Sequence, residues 1–218
     1  VFVDACQTVA HRELDLVKLK VDALVFSGHK MYGPTGIGVL YIKQNLIDKV
    51  SPLIVGGGMI EDVSLEKVEY VEYVSGIKKF EAGTLNLAGI FGLSQAVKFI
   101  QEIGYQEIQR SEQELFNYLL KALNELDFIE TYPQSPINTQ HLLAFNMQNV
   151  HAHDVAMILN QEGVCVRAGK HCTQLLHDRL GINASVRISL GVYNQISDID
   201  KLIEALKKAD YYFNSRNG

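Results

Sequence analysis

Three short apolar runs dominate the first part of the chain. They cover residues 1–3, 23–26 and 38–42, and the first two stop at Asp4 and Ser27. Every position in these runs is apolar, rather than every second one, which is typical of strands in a sheet buried on both faces. The sequence therefore predicts an α/β sheet. Because the first run begins at residue 1 and three such strands make a poor core, we expect a longer natural chain.

Helical spacing replaces this pattern further along. It predicts one helix from Leu87 to a stop at Gly104, and a longer one with leucines at positions 115–126. Short strands are predicted at 141–147, 164–166 and 186–190, with Asp154 and Ser197 as N-caps of two more helices. We therefore expect part of a large α/β domain at residues 1–105 and a smaller α+β domain at 106–218.

Composition excludes several classes of protein. The net charge of −5 argues against a nucleic-acid surface, which is normally basic. No run of eighteen apolar residues exists, so no membrane span is expected. The three cysteines form neither a disulfide framework nor a zinc-binding spacing, which favours a reducing compartment, the cytoplasm. His151, His153 and Asp154 lack further ligands, so we expect no metal.

Polar side chains follow the first two apolar runs directly. Lys30 lies just past the second run, where α/β folds place ligands, and a desolvated lysine there could form a Schiff base. Ser27 and His29 offer partners for a phosphate or a substrate, and Asp4 offers a carboxylate for a protonated ring nitrogen. Taken singly, Lys30 could be a solvated loop lysine and Asp4 a turn residue.

Candidate groups also occur later in the chain. Cys172 follows Arg167, Lys170 and His171, and positive charge favours the reactive thiolate, although an inert thiol is the alternative. Arg187 could bind a carboxylate through two hydrogen bonds, or form an ordinary surface ion pair. Gly83 and Thr84 precede the helix at Leu87, where free N–H groups form either an anion site or a normally capped helix start.

Five stretches of the chain, taken in sequence order, resemble the cysteine desulfurase/selenocysteine lyase family. Members of that family are fold-type-I pyridoxal-phosphate enzymes of the class V aminotransferase type. Each stretch alone is weak evidence, but five in family order are strong. They are Asp4-Ala5-Cys6-Gln7, Phe26-Ser27-Gly28-His29-Lys30 with Tyr32 to Gly38, Phe80-Glu81-Ala82-Gly83-Thr84-Leu85-Asn86, Arg167-Ala168-Gly169-Lys170-His171-Cys172, and Arg187-Ile188-Ser189 with Tyr193-Asn194.

The resemblance implies a role for each matching residue. Lys30 would hold pyridoxal 5'-phosphate covalently and move protons, Asp4 would face the pyridine nitrogen and Gln7 the ring hydroxyl. Ser27 and His29 would bind the phosphate, and Thr84 that of a partner subunit's cofactor in a homodimer. Arg187 would bind the carboxylate of L-cysteine or L-selenocysteine. Cys172 would carry the sulfur as a persulfide, leave alanine, and pass the sulfur to an acceptor protein in iron–sulfur cluster assembly.

The chain also departs from the family pattern. Lys170 stands where histidine is common, Leu85 where proline is common, and Cys6 where a small inert residue is usual. Relatives carry about as much chain again before the equivalent of Val1, so the 218 residues alone are expected to bind cofactor weakly and to be inactive. The alternatives are another class V enzyme, against which Cys172 argues, and a non-catalytic dimerisation or interaction fragment.

Overall fold

The computed structural model describes residues 1–64, 66, 71–132 and 141–213, in two compact units. Unit 1 comprises Val1–Tyr105 and unit 2 comprises Gln106–Gly218. The mixed α/β architecture agrees with the fold class expected from the sequence. In the described ranges, no helix is both long and apolar enough to cross a membrane.

Unit 1 is built on a three-stranded sheet. The elements of this unit, in chain order, are β1 (Phe2–Asp4), α1 (Leu16–Leu19), β2 (Ala23–Ser27), a 3₁₀ turn (Gly28–Met31), β3 (Gly38–Ile42), α2 (Gln44–Ile47), β4 (Ile60–Val63), β5 (Val71–Tyr73), a second 3₁₀ turn (Gly76–Phe80) and α3 (Leu87–Ile103). The strand order is β1-β2-β3, with β1 parallel and β3 antiparallel to β2. The short connection between β2 and β3 requires antiparallel pairing, because a parallel return needs a longer crossover.

The sheet in unit 1 is less covered than its apolar strands predict. Phe2 is 65% exposed and Leu40 is 50% exposed, so the strands are not buried on both faces by the described residues. Sequence patterning identified the strands, because it depends on their own residues. It did not identify the hairpin of β4 and β5, whose residues are mostly exposed and mix apolar with acidic side chains. The α3 boundary is as predicted, and the Gly104 N–H bonds the Ile100 carbonyl at 2.9 Å.

Unit 2 packs helices against a four-stranded antiparallel sheet of order β6-β7-β9-β8. Its elements are α4 (Tyr105–Asn124), β6 (Ile129–Tyr132), β7 (Leu142–Met147), α5 (Ala152–Gln161), β8 (Arg167–Gly169), α6 (Gln174–Leu180), β9 (Ser185–Ser189) and α7 (Ile196–Phe213). Alternate residues of β7 are buried, so one face of this strand lies against the core. The side chains of Phe145, Leu159 and Leu206 are fully buried there.

Two strand predictions in unit 2 are wrong at their boundaries. The strand expected at 164–166 lies at Arg167–Gly169, because the Val164 N–H bonds the Leu159 carbonyl at 2.8 Å and so belongs to the turn after α5. The strand expected at 186–190 runs from Ser185 to Ser189. Together they place Gly169 opposite Ser185 in the β8–β9 ladder.

Both predicted helix caps in unit 2 are also wrong. His151 caps α5, since its ring accepts the His153 N–H, and Asp154 lies in the first turn with its own N–H bonded to the His151 carbonyl. Helix α7 already begins at Ile196, so Ser197 is inside it. The polar residue expected as a cap therefore lies within the helix in both cases.

The core of unit 2 predicts a large effect of truncation. We expect Leu206→Ala, at a fully buried position, to lower the free energy of unfolding by about 2–5 kcal/mol, because the cavity cannot collapse completely. Leu175→Ala is the matched control, since Leu175 is 84% exposed. Urea unfolding followed by circular dichroism measures both variants, and equal losses would contradict the packing described for unit 2.

Candidate functional site

The first group of candidate residues lies at the carboxyl edge of the β1–β2 pair. Asp4 ends β1 and pairs with Val25, and Ser27 ends the parallel strand β2. One oxygen of Asp4 accepts the Cys6 N–H at 2.9 Å. This hydrogen bond is the main reason that the pKa of Asp4 is lowered, and the positive charge of Lys30 contributes in the same direction. A carboxylate that stays ionised therefore shares this edge with the lysine.

Lys30 lies on the 3₁₀ turn that follows β2 directly. The Gly28 N–H bonds the Ile37 carbonyl at 2.8 Å, and the Gly33 N–H bonds the Gly28 carbonyl at 2.9 Å. A Cβ at Gly28 would come within 2.9 Å of the Ile37 side chain, so only glycine allows this close crossing. The turn is thus braced by its backbone, while the Lys30 side chain remains exposed.

Two further polar side chains stand beside Lys30 on the same connection. The Ser27 hydroxyl and the His29 Nδ1 lie 2.9 Å apart, so they form one polar pair at the start of the turn. Ser27 is partly buried at the end of β2, and His29 is exposed. A hydroxyl and an imidazole in this arrangement can both direct hydrogen bonds at an anionic ligand.

The turn after β1 carries Gln7 and Cys6. Gln7 is exposed, in a turn whose first hydrogen bond joins the Thr8 N–H to the Ala5 carbonyl. The pKa of the partly buried Cys6 thiol is raised, first by burial and then by the hydrogen bond and the negative charge of Asp4. Cys6 therefore stays protonated, which separates it from thiolate chemistry.

Thr84 is exposed in the loop before α3. The helix start is capped by Asn86, whose side chain accepts the Gly89 N–H at 2.9 Å. The Asn86 amide also donates to the Gly36 carbonyl at 3.4 Å. This contact ties the loop of Thr84 to the loop that follows the turn of Lys30.

The second group lies in unit 2, where Cys172 is exposed in the connection between β8 and α6. His171 and Cys172 both have left-handed backbones, with φ of 51° and 62°. Each such residue without glycine's freedom costs about 1–2 kcal/mol, so surrounding contacts must hold the turn. The Thr173 N–H and hydroxyl both bond the Lys170 carbonyl, at 2.7 and 2.8 Å.

Arg187 lies in the middle of β9, opposite Arg167 of β8. Its Nε is buried and, among the described residues, finds no hydrogen-bond partner. The pKa of the guanidinium is lowered, first by burial and then by the charge of Arg167, whereas the Cys172 thiol acts to raise it. A half-buried cation with an unused buried donor is suited to an anion, and a carboxylate matches its planar fork.

Sequence reasoning missed two residues that contact the Cys172 loop. Ser185 lies within 3.1 Å of the His171 ring and within 3.0 Å of the His177 ring. His177 also contacts the carbonyl of Thr173 at 3.0 Å. These contacts join β9, the loop and α6, so no local spacing in the sequence could have indicated them.

Comparison with known proteins assigns the class. The profile of the family Aminotransferase class-V matches residues 1–202. The chain belongs to this family.

Individual relatives are more specific. The chain is 42% identical over 213 residues to the cysteine desulfurase of Haloferax volcanii, covering 98% of this chain and 49% of that protein. It is 41% identical over 211 residues to a probable cysteine desulfurase of Staphylococcus aureus, covering 97% and 50%. The chain thus spans about half the length of the relatives it matches.

The chain is also similar to solved structures of cysteine desulfurases. The cysteine desulfurase CsdA from Escherichia coli matches with a TM-score of 0.88 and 36% identity, over 95% of this chain and 51% of that one. An apo cysteine desulfurase from Thermococcus onnurineus NA1 matches with a TM-score of 0.87 and 38% identity, over 95% and 51%.

The environment of His171 predicts an unusual titration. Its pKa is lowered, first by burial and then by the charge of Arg187. We expect an NMR titration to find it below the ordinary 6.5, and Arg187→Gln to move it upward. Since the folded state resists protonation, stability should fall as the pH drops from 6.5 towards the lowered pKa. His171 in the urea-unfolded protein is the reference, and a native pKa at or above that reference would contradict the description.

Proposed function

We propose that the protein is a pyridoxal-phosphate-dependent cysteine desulfurase that converts L-cysteine to L-alanine and carries the sulfur as a persulfide on Cys172. The observation that carries the proposal is the presence, in one unit, of an exposed thiol on a left-handed turn and of a half-buried Arg187 whose buried Nε has no hydrogen-bond partner among the described residues. A negative charge on the Cys172 sulfur would raise the pKa of that guanidinium. The relatives that support it are themselves named cysteine desulfurases.

The donor set of unit 1 fits pyridoxal phosphate. We assign Lys30 as the amine for the aldehyde, and Asp4 as the carboxylate for the ring nitrogen, because its lowered pKa keeps it ionised. Gln7 is assigned to the ring hydroxyl, and the paired Ser27 and His29 to the phosphate. Thr84 is proposed to serve the phosphate of a partner subunit's cofactor, which makes the active form a homodimer.

The chain's own residues account for the sulfur transfer. Arg187 holds the substrate carboxylate, and bound pyridoxal phosphate supplies the electron sink for the substrate carbons. The Cys172 thiolate attacks the substrate sulfur, so that a sulfur–sulfur bond forms while the carbon–sulfur bond breaks. The proton that completes alanine is delivered to the β-carbon, and the Lys30 amine moves protons within the site. One thiol and one cysteine give one persulfide and one alanine, so atoms and electrons balance.

Several finer assignments belong to the same proposal. L-Selenocysteine presents the same carboxylate and amine, so selenocysteine lyase activity is included. The persulfide would pass to a sulfur-acceptor protein in iron–sulfur cluster assembly, and the cytoplasm is the proposed location. The exposure of Cys172 supports this transfer, since an acceptor thiol must reach it.

Replacing Cys172 tests the proposal. In the complete gene product loaded with cofactor, we expect Cys172→Ala to keep the cofactor absorbance but to lose at least about 100-fold in alanine and sulfide formation from L-cysteine, because the nucleophile is gone. Cleavage of L-selenocysteine is expected to survive in part.

Cys165→Ala is the matched control, since Cys165 is also an exposed thiol of unit 2. It should keep the parental rate with both substrates. Equal sulfide release from Cys172→Ala and the parent would show that another group is the nucleophile. Absence of cofactor absorbance from the loaded parent would favour the alternative of a non-catalytic interaction fragment.

A further inference from the structure

Ser185 occupies a central position beneath the Cys172 loop. It is the first residue of β9, is only 1% exposed, and stands opposite Gly169 at the end of β8. Its hydroxyl lies 3.1 Å from Nε2 of His171 and 3.0 Å from Nε2 of His177. One buried hydroxyl therefore joins a histidine of the loop to a histidine of α6.

The neighbouring carbonyls determine the proton positions on both rings. Nε2 of His171 is 3.0 Å from the Ser185 carbonyl, which can only accept, so this nitrogen carries a proton. Nδ1 of His177 is 3.0 Å from the Thr173 carbonyl and must also carry one. Neutral His177 then accepts at Nε2, and the Ser185 hydroxyl donates to it. The two histidines have opposite tautomers, and the hydroxyl hydrogen has one satisfying position.

Charges around the network favour the neutral form of His171. Arg187 of β9 and Arg167 of β8 both act against protonation of His171, as does His177 of α6. In the loop itself, Cys172 is the adjacent thiol, and Nδ1 of His171 is buried without a partner among the described residues.

The network also spans the two groups that the reaction needs. Ser185 and Arg187 lie two residues apart on one strand, so their side chains share a face of the sheet. His171 immediately precedes Cys172, and Thr173 is the N-cap residue just before α6. The left-handed backbones at His171 and Cys172 need such contacts, because the turn would otherwise relax.

We propose that Ser185 is a positioning residue, which acts through His171 and His177 to hold the Cys172 thiol in register with the substrate-binding Arg187. This role rests on the desulfurase function proposed above. Ser185 touches neither substrate nor cofactor in it. A displacement of the thiol by about 1 Å can cost about 100-fold in rate, so the hydroxyl matters for turnover rather than for substrate capture.

The test compares Ser185→Ala with the parent in the cofactor-loaded complete gene product. We expect kcat for alanine formation to fall about 10- to 100-fold, with KM within about twofold and cofactor absorbance unchanged. The rate of Cys172 alkylation by iodoacetamide should fall together with kcat, because the thiol is no longer held in its reactive position. Ser185→Thr, which restores the hydroxyl, should recover most of both rates.

A second variant covers the case in which threonine does not fit the buried site. His177→Phe removes the partner of the Ser185 hydroxyl. The double variant, His177→Phe with Ser185→Ala, should be no slower than either single variant, because each of the three variants disrupts the same network. Parental kcat and alkylation rate in Ser185→Ala would overturn the proposal, as would fully additive losses. If the parent makes no alanine, the desulfurase function fails, while the alkylation rates still decide whether Ser185 positions the thiol.

Discussion

The parallel pairing of β1 with β2 is the constraint on which unit 1 depends. Its register sets Asp4 opposite Val25, so that both strands end at one edge and Lys30 follows within three residues of Ser27. A shift by one residue would turn Asp4 to the other face of the sheet. The close crossing of Gly28 and Ile37 then fixes the turn that carries Lys30.

In unit 2, the antiparallel pairing of β8 with β9 positions candidate residues in a similar way. The β8–β9 ladder sets two arginines opposite each other, which is unfavourable for both charges, and the Arg187 Nε has no partner in the part of the chain that the structure describes. Such an arrangement is stable only because the hydrophobic core of this unit supports the sheet. The same ladder ends at Gly169 and Ser185, where the Cys172 loop begins, so strand register also determines where the thiol is presented.

The sequence predicted those features that depend on local pattern. Continuous apolar runs identified β1, β2 and β3, and helical spacing with Gly104 identified α3. Residues next to strand ends were also identified as candidates. The exact start of β8 was not predictable, because the turn at Val164 depends on a backbone hydrogen bond to Leu159.

Long-range contacts account for what the sequence could not predict. No sequence pattern distinguishes Ser185 or His177. Their side chains come together only because a strand, a loop and a helix pack against one another. The cap at His151 and the start of α7 at Ile196 likewise depend on how the chain enters each helix, not on the residue type alone. The assigned roles of Gln7 and Thr84 rest on family resemblance together with their exposed positions.

The proposed function requires the β1–β2 edge to hold pyridoxal phosphate on Lys30. Borohydride reduction of the cofactor-loaded complete gene product, followed by peptide mass spectrometry, measures this directly. We expect the reduced cofactor on the peptide that contains Lys30, and we expect Lys30→Ala to lose it. Lys98→Ala is the control and should retain the cofactor, since Lys98 lies at an exposed position of α3. Cofactor fixed on another lysine, or retained by Lys30→Ala, would contradict the account.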